Sequence, residues 1–195
     1  MANILKGFLP NFKIHKVCGT DDLRPVMSYV FFKYGNAYAT DAHVAVSAPL
    51  STISNFNDEE KELLEGKVIH GSQFAELLKM RSVEIELLGE RLCFCCLTKA
   101  GETVIIPILD EEKIGKFPNI EGLMNKVDKE AKDEKLPINM VGLNACSLSA
   151  IASAIDAKII EFYFTQANHA IVVRNAKYPE IRAILTPCFI EDPKF

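Results

Sequence analysis

The chain has 195 residues, with 22 Lys+Arg against 26 Asp+Glu for a formal charge of −4, and is 49% hydrophobic and 25% charged. This ordinary globular composition excludes a disordered or collagen-like chain, and the acidic balance excludes a protein that coats nucleic acid by bulk charge while leaving room for a local basic surface. Apolar runs stop at about six residues, as at 92–97, where a bilayer span needs ~20, so no segment is expected to cross a membrane.

Lys6, Gly7 and Pro10 interrupt the apolar residues of the N-terminus, which therefore does not read as a signal peptide. Cys18, Cys93, Cys95, Cys96, Cys146 and Cys188 lack the spacing of a disulfide framework, so a reducing cytoplasm is expected. Residues 12–17 alternate like a strand. Residues 29–32 lead into a turn at Tyr34-Gly35-Asn36, and a second run opens at Ala37 and reaches Val46. Pro49 and the polar stretch 51–57 end this block, and residues 58–64 predict a short helical turn stopped by Gly66.

A second block starts at Val68-Ile69. Ser72 can cap a short helix with Phe74, Leu77 and Leu78 at i, i+3, i+4. Runs at 83–87, 92–97 and 103–109, with turns at Gly89-Glu90 and 99–102, predict an antiparallel meander. Residues 125–135 carry four lysines, four acids and only Val127 and Ala131 as apolar side chains, the pattern of a solvated connector or an exposed helical turn. In the third block Asn144 or Ser147 can cap a helix presenting Leu148, Ile151, Ala152 and Ile155. Strands at 159–164, 170–173 and 182–189 follow, with a turn at Gln166-Ala167-Asn168. The helix-plus-meander unit thus occurs at least twice, and the first block reads as the same meander with its helix shortened or lost.

Little of this carries chemistry. Asp41-x-His43 is expected to place a carboxylate and an imidazole on the same strand face, two residues apart. A metal needs three or four convergent ligands, which the neighbouring sequence lacks, so the pair reads as structural or pocket-lining. Cys93-Phe94-Cys95-Cys96 is no C-x-x-C and reads as thiols packed in a sheet. His15, His43, His70 and His169 are scattered, and no phosphate-loop, dinucleotide, nucleophile-elbow or zincin motif occurs, so no enzyme, cofactor or metal site is expected.

Four fragments in order carry a resemblance. They are Asp22-Leu23-Arg24-Pro25-Val26-Met27-Ser28-Tyr29-Val30-Phe31-Phe32 with Gly35-Asn36; Ala39-Thr40-Asp41-Ala42-His43; Gly115-Lys116-Phe117-Pro118-Asn119; and Ile184-Leu185-Thr186-Pro187-Cys188-Phe189-Ile190. Together they resemble the bacterial DNA polymerase III beta subunit, the sliding clamp. That family carries an Asp-x-Arg-x-x-Leu strand, Ala-Thr-Asp-Gly-His-Arg-Leu, Gly-x-Phe-Pro-Asp and a C-terminal Val-Val-Met-Pro-Met-Arg-Leu. This chain departs from the pattern: Ala42 stands for Gly, Val44-Ala45 for Arg-Leu, Thr186 for Met, and Asn125 falls where a pocket Pro is expected.

The resemblance implies an α+β, DNA-clamp-like fold of antiparallel sheets with short helices on one face. Residues 1–125 would form a two-lobed domain (lobes about 1–66 and 67–125), 126–135 a charged connector and 136–195 an additional lobe. Family clamps close two subunits into a ring of twelve lobes around duplex DNA, which three-lobed chains would complete as a homo-oligomer of four. They hold DNA without sequence preference through cations on the channel helices, for which this chain offers Lys79, Arg81 and Lys158. They also bind polymerase or other clamp-binding peptides in a pocket whose wall falls on Met27, Thr40, Ala42, His43, Val44, Ala45, Ile184 and Thr186. The expected function is a sliding-clamp-like processivity or tethering protein in DNA replication or repair. The alternative is a clamp-derived interaction module that does not encircle DNA, in keeping with a helix lining poor in basic residues.

Overall fold

The strands between residues 29 and 49 are apolar on both sides, and both sides are buried, so layers of structure must cover each face. The computed structural model describes residues 5–20, 23–133, 141–164 and 169–188, with backbone alone at 131–133. Its strands are β1 Tyr29–Lys33, β2 Asn36–Thr40, β3 Val44–Pro49, β4 Lys67–His70, β5 Ser82–Leu88, β6 Arg91–Leu97, β7 Thr103–Pro107, β8 Leu109–Asp110, β9 Glu161–Tyr163, β10 Ile171–Arg174 and β11 Arg182–Leu185. Its α-helices are α1 Leu50–Ile53, α2 Asp58–Leu63, α3 Gly71–Leu77, α4 Ile120–Asp133 and α5 Ala145–Ala154.

Eight strands form one antiparallel sheet in the order β8-β4-β1-β2-β3-β11-β10-β9, and β5-β6-β7 form a separate meander. The expected α+β arrangement of antiparallel sheets with short helices is therefore present. The third block joins the first through β11 beside β3, where Ile184 opposes Ala45 and Leu185 opposes Val44. On the inner face of the large sheet, Val30, Phe32, Val46, Ile69, Val173 and Leu185 pack with Phe74 and Leu77 of α3 and Ile151 and Ala154 of α5. The meander closes the same core with Val83, Ile85, Phe94 and Ile106. On the outer face Phe31, Tyr38, Ala45, Val68, Val172 and Ile184 lie in a second core with Ile120, Met124 and Val127 of α4.

Several local readings change. Residues 14–17 form a 3-10 turn instead of a strand, because the buried pair Ile14 and Val17 is spaced by three, the period of that helix. The run from Ala37 to Val46 is two strands broken at residues 41–43, where Ala42 has φ +76°. The polar stretch after Pro49 contains α1, whose Leu50 and Ile53 are buried, and the buried Phe56. α3 is capped by His70, whose Nδ1 accepts from the Ser72 N–H at 3.3 Å, so Ser72 lies inside the helix.

The expected connector at 126–135 starts as the C-terminal half of α4. Ile120, Met124 and Val127, spaced i, i+4, i+7, make one buried stripe, and the interspersed charges occupy the other faces. α2 and α5 are capped by Asn57, in a capping box with Glu60, and by Asn144. The turn at Gln166-Ala167-Asn168, and Asp22, Phe189 and Ile190 of the resembling fragments, lie outside the described residues.

Phe8 ties the layers together. Its ring centroid lies 5.9 Å from Phe32 of the large sheet, 4.8 Å from Phe74 of α3, 5.0 Å from Phe56 and 5.9 Å from Phe94 of the meander. Truncating a fully buried Phe to Ala removes these contacts and leaves a cavity, at a cost of about 3–5 kcal/mol. Phe8→Ala is expected to lower the urea midpoint by that free energy, and a loss below about 1 kcal/mol would refute its central place.

Candidate nucleic-acid and partner-peptide faces

The helices α3 and α5 flank the 3-10 turn at 14–17 on the inner side of the sheet, and Lys13 N–H donates to the Ser153 carbonyl of α5 at 3.1 Å. Lys13, Lys16 and Lys79 are exposed and surround the half-buried His15, whose buried Nδ1 has no hydrogen-bond partner among the described residues. Burial first, and then the charges of Lys16, Lys13 and Lys79, lower the imidazole to about 4.

Of the three cations expected from the sequence, Lys79 is exposed but paired with Glu76 at 2.6 Å one turn away. Arg81 is exposed just before β5. Lys158 is exposed after α5, beside a cavity shared with Asp156 and Lys177. Lys13 and Lys16 were missed because the segment was read as a strand; the spacing of Ile14 and Val17 was the available signal. The charge of the helix layer is thus concentrated on the 3-10 turn, since α5 carries no charged residue.

The eight residues expected to wall a peptide pocket divide among five environments. Ala45 and Ile184 face each other across β3 and β11 on the outer face, within the core that α4 covers. Val44 lies on the inner face, because successive strand residues point to opposite sides. Thr40 is buried, its hydroxyl donating to the Val44 carbonyl at 2.7 Å and accepting from Ala42 N–H at 3.1 Å. Met27 is half-buried in the 3-10 turn before β1, where its carbonyl accepts from Gly19. Ala42, His43 and Thr186 are exposed at one end of the sheet, with Thr186 N–H donating to the His43 carbonyl at 2.8 Å.

Asp41 and His43 share a turn instead of a strand face. The Asp41 carboxylate accepts from the backbone N–H groups of His43 at 2.8 Å and Val44 at 2.7 Å, which closes the β2–β3 corner. Cys93 and Cys95 sit on one face of β6 and Cys96 on the other, and none of the six cysteines is bonded to another. Burial pushes the Cys95 and Cys96 thiols up to about 11 and the Cys18 thiol to about 12, which suppresses the thiolate. Among the described residues no three His, Cys, Asp or Glu side chains converge as metal ligands.

α4 is held over the outer face by charge as well as burial. Asp128 meets Arg174 at 2.6 Å and Arg182 at 3.8 Å, Glu121 pairs with Arg182 and accepts from the Tyr38 hydroxyl at 2.9 Å, and Asn125 accepts from Arg182 at 2.9 Å. The hydrogen bond from Arg182 holds the Glu121 carboxyl below its usual range, while burial and the bond to Glu121 push Tyr38 up to about 12. Two cavities flank the helix. One of about 280 Å³ is lined by Phe31, Tyr34, Tyr38, Phe117, Ile120 and Glu121 among others; one of about 600 Å³ lies beside Asp128, Tyr163, Val172, Arg174 and Arg182.

No protein-family model and no curated protein sequence matches the chain. Its fold is that of bacterial sliding clamps. It is similar to the C. crescentus beta sliding clamp with TM-score 0.62 at 15% identity, over 91% of this chain and 62% of that one. The DnaN sliding clamp of Bartonella birtlesii, solved with griselimycin, gives 0.59 at 14% identity over 94% and 63%. The DNA polymerase III beta subunit of Thermotoga maritima gives 0.57 at 14% identity over 97% and 66%. The chain therefore spans a little under two thirds of these clamps. Among the described residues no helix is long and apolar enough to cross a membrane.

Two expected outcomes follow from this geometry. Ala42 occupies the left-handed region, where a Cβ costs roughly 1–2 kcal/mol and glycine's extra unfolded-state freedom returns about half of that, so Ala42→Gly should stabilise by about 0.5–1 kcal/mol in denaturant unfolding. His15 is held below its unfolded value near 6.5, so the unfolded chain binds the proton first and stability falls as pH drops from about 6.5 toward about 4. The melting temperature should accordingly fall less between about pH 7 and pH 5 in His15→Leu than in the parent; parallel curves would show that His15 titrates normally.

Proposed function

We infer that the chain is a non-enzymatic, sliding-clamp-like tether that associates with duplex DNA through the α3/α5 layer, in a role of DNA replication or repair in the cytoplasm. The observation that carries this reading is the grouping of exposed Lys13, Lys16 and Lys79 on the helix layer around a neutral His15, in a chain with a clamp fold and a net negative charge. Phosphate attraction is independent of sequence and releases counterions, so local lysines suffice where bulk charge does not. Lobes at about 1–66, 67–125 and 136–195 would then be three building blocks of a ring completed by further copies. Partner peptides would meet the expected pocket wall at the exposed Ala42, His43 and Thr186, since Ala45 and Ile184 lie beneath α4 and Val44 faces the inner core.

A second reading, an interaction module that keeps the fold without encircling DNA, is favoured by the Lys79–Glu76 pair and the uncharged α5. Binding to closed circular and linear DNA across a salt series decides between them. A ring persists on circles at high salt and slides off linear ends, whereas a module shows no topological difference. For a tether, Lys13→Ala/Lys16→Ala/Lys79→Ala is expected to weaken DNA binding on every sequence and to reduce the slope of log K against log salt by about 0.9 per lysine. An unchanged slope would move the DNA face elsewhere.

A further inference from the structure

We propose that the outer sheet face beneath α4 is a docking groove for an amphipathic partner helix, and that α4 is its resident, displaceable occupant. This deepens the tethering reading by naming the partner's chemistry, and it rests on that reading only for its biological use. α4 itself is the template. Its anchors Ile120, Met124 and Val127 sit at i, i+4 and i+7 against Phe31, Tyr38, Ala45, Val68, Val172 and Ile184. Its acids Glu121 and Asp128, at i+1 and i+8, meet Arg182 and Arg174. A partner of the same pattern, three apolar anchors with a carboxylate after the first and after the third, satisfies both the apolar floor and the two arginines.

Three observations make α4 replaceable. Cavities of about 280 and 600 Å³ border it at Ile120 and Glu121 and at Asp128, where they also touch Phe31 and Tyr38 or Val172 of the floor. Its sequence is a modest helix former, with Gly122 and Asn125 in its first half and Leu123 47% exposed. Its electrostatic hold is made by partly exposed ion pairs, which salt and a competing carboxylate weaken. A ligand with a larger first anchor would fill space beside Ile120 that α4 leaves open, and its affinity would be set by the fraction of chains with α4 displaced.

The test uses the full chain and a labelled synthetic peptide of residues 118–133 read by fluorescence anisotropy. Lys126→Gly/Lys129→Gly alters only exposed positions and lowers the helicity of α4 in cis, so the peptide should bind that variant roughly tenfold more tightly than the parent. A peptide with serine in place of its three anchors should bind neither, and one with lysine in place of its Glu121 and Asp128 equivalents should lose roughly tenfold. If the glycines lower the melting temperature of the whole chain, Asp128→Asn, which removes the charge facing Arg174, serves as the second arm and should also tighten peptide binding. Equal affinity of parent and variants, or binding of the anchorless peptide, overturns the proposal. DNA binding measured on the same samples separates the two ideas: salt-sensitive DNA association with peptide indifference leaves the tether standing and removes the groove, and the reverse removes the tether alone.

Discussion

The packing of one phenylalanine near the N-terminus sets the geometry of the whole molecule. The meander has no strand in common with the large sheet, so the one-residue link from β7 to β8, the backbone bridges of residues 6–8 and side-chain packing hold the two together. Phe8 reaches Phe32, Phe56, Phe74 and Phe94 at once, and its own segment is pinned on two sides, by the Phe8 bridge to Ser54 and the Lys6 bridge to Ser82. Gly7 between them has φ +127°, and a Cβ there would lie 3.0 Å from Val83, so the chain passes this close to β5 only because the residue has no side chain. Its N–H donates to the Asn55 side chain at 2.6 Å, which satisfies the one donor the close approach would strand.

Once the two layers are placed, the inner and outer faces of the sheet separate two kinds of surface. The inner side is closed by α3, the turn at 14–17 and α5, and its cations project away from an apolar core. The outer side is covered by α4 and by Phe117, whose ring stacks on Phe31 at 4.8 Å, with Arg174 and Arg182 beside α4. Arg174 and Arg182 present planar guanidinium groups to carboxylates, a geometry that point-like ammonium groups do not reproduce. The same sheet thus carries exposed lysines on one side and arginines paired with α4 on the other.

Much of the fold was legible because strand alternation, glycine turns and helix caps are local. The β5–β6–β7 meander and its turns at Gly89 and Gly101, both at positive φ, follow directly from residues 83–107. The turn at 14–17 was not legible as alternation, since Phe12 and Ile14 share a strand parity by chance while the buried set Ile14 and Val17 has period three. α4 was hidden for a different reason: its charges dominate the composition, and three apolar residues at helical spacing become a buried face only when a sheet is there to receive them. Of the expected pocket wall, Ala45 and Ile184 oppose each other across β3 and β11, whereas Val44 faces the other side, because residues contiguous in a motif alternate faces on a strand.

Which cations are engaged by carboxylates decides where an acidic chain can attract an anion. Attraction of phosphate depends on cations free to exchange their counterions, not on the net count. On the outer face both arginines are engaged by Glu121 and Asp128, so they add little field there. Lys67 is engaged by Asp110 at 2.5 Å and Lys6 by Glu60 at 2.6 Å, which neutralises two further cations. Among the described residues, by contrast, no carboxylate pairs with Lys13 or Lys16, and His15 between them is kept neutral by the same burial that seats the turn. Lys13 and Lys16 thus stay free of carboxylates beside α5, while Lys79 at the end of α3 shares its charge with Glu76.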